Sequence, residues 1–339
     1  MFKALLVILC CLAFSLKRES QQLYTITGYA QGTDYSIKYY AQRPVVEKET
    51  IDSLLKEIDR SMSLYLPGSI INRFNSSPDS YPMDQHLQQV LKRSFEIHKD
   101  TKGLFDITVA PLVQAWGFGS HYINALPDSA RIKLLLNTVG MNRLSFKNAI
   151  LYKEKAEVQI DVNGIAQGYT VDVVAAHLAK MGIKSYLVEI GGEILVKGYN
   201  PGQVVKKIGI EGPLGQDGGT VGIKHIMGLR KGAITTSGNY RKYYEAGGRR
   251  VNHLINPFTG YPLQNEMISV TVIAPDAMTA DGYDNALMAM HVDDAVDFVK
   301  ARKYLEAYFV YRSANGAVLD TMTTGFKKLI IDNQNKQDE

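Results

Sequence analysis

The stretch DGYDN at residues 281–285 sets two carboxylates, Asp281 and Asp284, and the carboxamide of Asn285 within five positions. An apolar, β-branched run at 268–274 precedes it and the apolar pattern of 286–290 follows, so the spacing predicts a strand-to-helix turn. Hard oxygen atoms clustered at such a turn are what a Mg2+ ion and a phosphate-bearing substrate need. Acidic residues there would serve equally as ordinary helix caps.

Four glycine-containing segments could complete such a site. DVNGIAQGY (161–169) runs from a predicted strand end into a helix N-terminus, where free N–H groups and the helix dipole attract an anion. Asp161 or Asn163 could also act there as simple caps. The segment 103–118 ends on Trp116, Gly117 and Phe118 and carries the only tryptophan, a residue type more often core than ligand platform. AITTSGNYR (233–241) reads as a polar turn between strands. NHLINPFTGYP (252–262) places His253 two residues before Ile255 in a loop-bound strand, and imidazole is the side chain best suited to proton transfer near neutral pH. Singly, none of the four decides a function.

The elements that must position these residues follow from periodicity. Two strands at 23–28 and 35–40 are joined around Gly32. Ile51, Leu54, Leu55, Ile58 and Met62 fall at helical spacing, Asp84 opens a second amphipathic helix through Leu87, Val90, Leu91 and Phe95, and a third spans about 128–140. The centre alternates: a strand at 157–161, a helix at 169–181 stopped by Gly182, and a strand at 185–190. Short strands fill 192–254, and two helices lie near 279–302. The fold class read from this is α+β, with mixed or largely antiparallel sheets and packed helices rather than a doubly wound parallel sheet.

Composition narrows the function. A chain of 339 residues with 45% apolar content can bury a large core. Its net charge of +4 is spread along the chain, which gives no reason to expect nucleic acid as a partner. There is no G-x-x-x-x-G-K-[ST] loop, the spacing of Gly209, Gly212 and Gly215 is wrong for a dinucleotide fingerprint, and no H-E-x-x-H pair argues for zinc.

Residues 1–20 have the pattern of a signal peptide or a short N-terminal membrane anchor. Lys3 precedes a compact apolar run at 4–14, which Lys17, Arg18 and Glu19 interrupt well short of the roughly 20 residues of a stable span. Both cysteines, Cys10 and Cys11, lie in that run, so cleavage near 13–15 would leave a mature chain without cysteine. The location expected is extracytoplasmic (periplasmic), with anchoring to the inner membrane as the alternative to release.

Taken in chain order, the motifs resemble the FAD:protein FMN transferases of the ApbE family. The resemblance runs from about Gln31 to Met290. It rests on QGT (31–33), MSLYLPGS (62–69), FDITVAPLV (105–113) with WGF (116–118), DVNGIAQGY (161–169), EIGGE (189–193), TSGNY (236–240), HLINP (253–257) with TG (259–260), and SVTVIAP (269–275) leading to Asp281. The resemblance implies a single ApbE-like fold with two lobes over 21–333, followed by a polar tail at 334–339. It implies that FAD binds as substrate with Mg2+, that its pyrophosphate is cleaved, and that FMN passes to a Thr or Ser hydroxyl of an acceptor flavoprotein, such as a membrane redox-complex subunit, with release of AMP. Carried over by position, Asp281, Asn285 and main-chain oxygens at Gly164 and Asp284 would face the metal. Gln31, Tyr65, Trp116, Gly117, Phe118, Asp161, Gln167 and Ile255 would line the FAD site, and His253 would be the general base.

The chain departs from the family pattern at two of these positions, carrying Asn285 where Thr is more common and Gln167 where Lys is more common. Asp284 adds a carboxylate where the family usually has a small residue. An FAD pyrophosphatase releasing FMN and AMP, and a non-catalytic extracytoplasmic FAD-binding protein, are the alternatives that these departures leave open.

Overall fold

Alternating apolar residues and two-residue turns lay the chain out as an antiparallel meander. The computed structural model describes residues 21–120, 122–212, 222–240, 243–246 and 249–331; the expected export segment 1–20 and the tail 334–339 lie outside them. The main sheet has eight strands: Gln22–Ala30, Thr33–Ala41, Tyr186–Ile190, Glu193–Lys197, Lys231–Gly238, Met267–Ala274, Glu306–Arg312 and Val318–Met322. They lie side by side in the order in which they occur in the chain, and every pairing is antiparallel. The fold is therefore α+β.

Two of the hairpins have loops of two residues with positive φ at both, Gln31-Gly32 (54° and 77°) and Gly191-Gly192 (64° and 106°). That geometry matches the twist of the flanking strands. Such turns fix register, so Ile190 faces Glu193 across the second hairpin and Glu193 is held at the sheet end.

Each face of the sheet buries a different layer. On one, Val270, Val272, Ala274 and Phe309 pack with helix residues Ile165, Tyr169, Tyr283 and Leu287. On the other, Ile234, Ile273, Tyr308 and Val310 meet Ile208, Ile210 and Met227 of the separate two-stranded sheet Lys206–Glu211 and Ile223–Leu229, together with Phe326. Among the described residues no helix is long and apolar enough to cross a membrane.

Four local expectations change. Residues 157–161 form no strand, although Val158 and Ile160 are buried as alternation requires. Their backbone groups are taken elsewhere, Ile160 N–H donating to Asn75 Oδ1 and Asp161 N–H to Ile107 O. The central helix is Asn163–Lys180, which starts before Gly164 rather than at Tyr169. Residues 233–238 belong to the central strand Lys231–Gly238 rather than to a turn, with Arg241 outside the described residues. Finally, DGYDN lies inside the helix Ala277–Met288, whose cap is Asp276 accepting from Thr279 N–H. The acidic pair is thus free of capping duty.

Candidate active site

Two helices meet beside the sheet because one of them carries no side chain at the crossing. A Cβ on Gly168 would lie 2.3 Å from the Ala277 carbonyl oxygen and 2.7 Å from Asp281 Cβ, so only glycine permits this approach. The helices are then tied at two points. Gly168 N–H donates to Asp281 Oδ2 at 2.8 Å, and Asp172 receives Ala277 N–H on Oδ1 (2.8 Å) and Met278 N–H on Oδ2 (2.9 Å).

Burial pushes the Asp172 carboxyl up to about 7, against the two N–H groups that favour its charge. The unfolded chain would ionise this group near ~4, so between these limits the folded protein holds a proton that the unfolded chain has lost. Stability therefore falls as pH rises from about 4 to about 7, by on the order of 3 kcal/mol. Urea unfolding with chelator at about pH 5 and about pH 8 should show this slope, and Asp172→Asn should make it shallower, the remainder coming from the buried Asp281 and Asp284. An unchanged slope in the variant would assign it to other groups.

Asp281, Asp284 and Asn285 project from Ala277–Met288 into a cavity of about 420 Å3, a size in the range of cofactor sites. Asp281 is 4% exposed and Asp284 is 1% exposed. Burial raises the Asp281 carboxyl to about 7, with Gly168 N–H opposing. Burial raises Asp284 well above the usual carboxylate range, and the neighbouring Asp281 charge adds to the effect.

Four oxygens converge here: Gly164 O, Asp281 O, Asp281 Oδ1 and Asp284 Oδ1 all lie 2.9–3.3 Å from one atom, Asn285 Nδ2. Among the described residues no group of three or more His, Cys, Asp or Glu could hold a metal, so the set is two carboxylates and two main-chain carbonyls. Such all-oxygen donor sets suit hard cations.

The rest of the cavity wall comes from distant segments. Asn163 and Gly164 bring the N-terminal end of Asn163–Lys180 to it, and Asp161 Oδ1 accepts from Asn163 N–H at 2.7 Å, so Asp161 both caps this turn and faces the cavity. Gln167 Nε2 donates to Ile190 O at 3.1 Å and lies against Gly191. His253, just past the strand Arg249–Asn252, borders the cavity with Ile255 and Phe118, and the Phe118 ring stands between His253 (6.2 Å) and Tyr244 (5.2 Å). Tyr65 forms an exposed part of the rim.

Ten of the residues singled out from sequence thus share one cavity: Tyr65, Phe118, Asp161, Gly164, Gln167, His253, Ile255, Asp281, Asp284 and Asn285. Three do not line it. Trp116 is buried in a satellite core with Leu112, Ile132 and Leu135, and its Nε1–H donates to Gly260 O at 2.7 Å, so it braces the segment bearing His253. Gly117 adopts φ 84° at the end of the helix Ala110–Ala115. Gln31 occupies the first hairpin turn and hydrogen-bonds the Asp59 side chain.

Sequence reasoning passed over Glu193, Thr236, Ser237 and Asp106 as wall residues and Asp172 as the helix tie. Glu193 was the most legible of these, as an acidic residue next to a Gly-Gly turn within a quoted motif.

A family model described as ApbE family matches residues 31–309. The chain belongs to the ApbE family. It is 38% identical over 284 residues to the FAD:protein FMN transferase of Vibrio cholerae serotype O1, covering 81% of this chain and 83% of that one. To the FAD:protein FMN transferase of Haemophilus influenzae it is 32% identical over 342 residues, with 97% and 98% covered. The solved structure described as flavin transferase ApbE from Vibrio cholerae superposes with a TM-score of 0.82 at 33% identity, over 91% of this chain and 99% of that one. ApbE family membership thus accounts for the fold.

Proposed function

We propose that the chain is a Mg2+-dependent FAD:protein FMN transferase acting outside the cytoplasm. The observation that carries this reading is the meeting, in one cavity, of a four-oxygen cradle, a helix N-terminus and a histidine. The transferase names of the relatives support it, and the apolar run at 4–14 supports export.

Gly164, Asp281, Asp284 and Asn285 would hold the Mg2+. When bound, the cation supplies positive charge that neutralises the pyrophosphate as AMP departs. The Asn163–Lys180 N-terminus adds N–H donors and dipole for the phosphates. Tyr65, Phe118 and Ile255 offer apolar and aromatic surface to the flavin.

His253 takes the proton from the acceptor Thr or Ser hydroxyl. That oxygen attacks the FMN phosphorus, a P–O bond to the acceptor forms, the anhydride P–O bond breaks, and AMP leaves with the bridging oxygen. Chromatography of the nucleotides tests this: AMP without free FMN is expected when acceptor is present. Equal AMP and free FMN would show a pyrophosphatase instead.

Gly191, in the cavity wall beside Gln167, provides a separate check. A Cβ there would lie 1.9 Å from Gln167 Nε2, at a φ of +64° that side chains rarely adopt. Gly191→Ala should lose about 1–2 kcal/mol of stability and, by displacing Gln167, weaken FAD binding roughly tenfold in a fluorescence titration.

A further inference from the structure

Asn285 sits in the oxygen cradle with its nitrogen inward. Nδ2 has two hydrogens but faces four acceptors: Gly164 O (3.3 Å), Asp281 O (2.9 Å), Asp281 Oδ1 (3.3 Å) and Asp284 Oδ1 (3.0 Å). The surplus of acceptors around one point is the arrangement that a cation satisfies, and the amide meets only part of it. On its other side, Asn285 Oδ1 accepts from Ser237 Oγ at 3.4 Å.

A hydroxyl can donate to an amide oxygen or accept from an amide nitrogen. Ser237 can therefore partner the carboxamide in either orientation. The terminal torsion of Asn is soft and two-fold, so turning it over exchanges Nδ2 for Oδ1 in the cradle at little conformational expense.

We infer that Asn285 is an internal competitor of the divalent cation and sets how tightly this chain holds it. Its N–H groups bridge the buried acids in the cation-free protein. A cation takes their place only when the carboxamide turns its oxygen inward against Ser237. The inference rests on the cation-dependent reading of the site, and it concerns binding rather than turnover.

The test is Mn2+ binding to the chelator-stripped full chain, followed by electron paramagnetic resonance and calorimetry without FAD. Asn285→Ala should bind Mn2+ about tenfold more tightly than the natural chain, water replacing the lost ligand oxygen. The variant should also melt lower than the natural chain in chelator, and the two should converge when saturated with Mn2+. Asn285→Ser, which keeps a polar group in the cradle, should show the same order if the alanine variant folds poorly. Equal or weaker binding in the variants would overturn the inference and make Asn285 an ordinary ligand. No Mn2+ binding by any of the proteins would overturn both it and the cation-dependent reading.

Discussion

Asp281→Ala should reduce FMN transfer by about 10³-fold or more, several kcal/mol of transition-state stabilisation. Asp281 contributes Oδ1 and its main-chain oxygen to the cradle while Oδ2 accepts from Gly168 N–H. Truncation removes one of two carboxylates and the bond from Gly168 N–H that ties the helices where they cross, at about 1–2 kcal/mol. Asp281→Asn separates the two effects. It keeps an acceptor for Gly168 and should recover most of the stability but little of the turnover. Steady-state transfer rates beside melting temperatures check this, and a rate within tenfold of the natural chain in both variants would remove the carboxylate from the mechanism.

His253→Ala should abolish transfer and spare FAD binding. A positioned proton acceptor contributes typically 10²–10⁴-fold, and the rate should fall in that range while the FAD dissociation constant changes little. The geometry supports the split because His253 lies on the segment 252–262, braced by Trp116 through Gly260, a different element from the two helices that form the cradle. A loss of FAD affinity equal to the loss of rate would make His253 a binding residue instead.

Much of this arrangement was legible in the chain, and the misses share a cause. The first hairpin and the amphipathic helices follow their periodicity, since each buries one face, and the strand before Asp281 follows from its continuous apolar, β-branched run, which is buried on both faces of the sheet. The start of Asn163–Lys180 was hidden because Gly164 and Gly168 each lower helix propensity by about 1 kcal/mol. Gly168 is tolerated because close helix packing and the bond to Asp281 compensate, contacts that are remote in sequence. Thr236 and Ser237 look like turn residues by composition, yet the strand carries them past Thr271 and Asn285, where their hydroxyls find partners. Trp116 shows the reverse. A motif-level role placed it at the ligand, whereas its indole N–H is satisfied inside a satellite core.

Asp284 and Asn285 both reach the cradle. Asp284 lies where burial opposes its charge, and the Asn285 amide donates an N–H to its carboxyl. This pairing is consistent with a working cation site.

The most direct measurement is the mass of an acceptor flavoprotein after incubation with the purified chain, FAD and Mg2+. The account predicts an increase of one FMN on a single Thr or Ser, with one AMP released per adduct and no adduct in chelator. An acceptor that stays unmodified while FAD is bound, or FMN released free in solution, would contradict it.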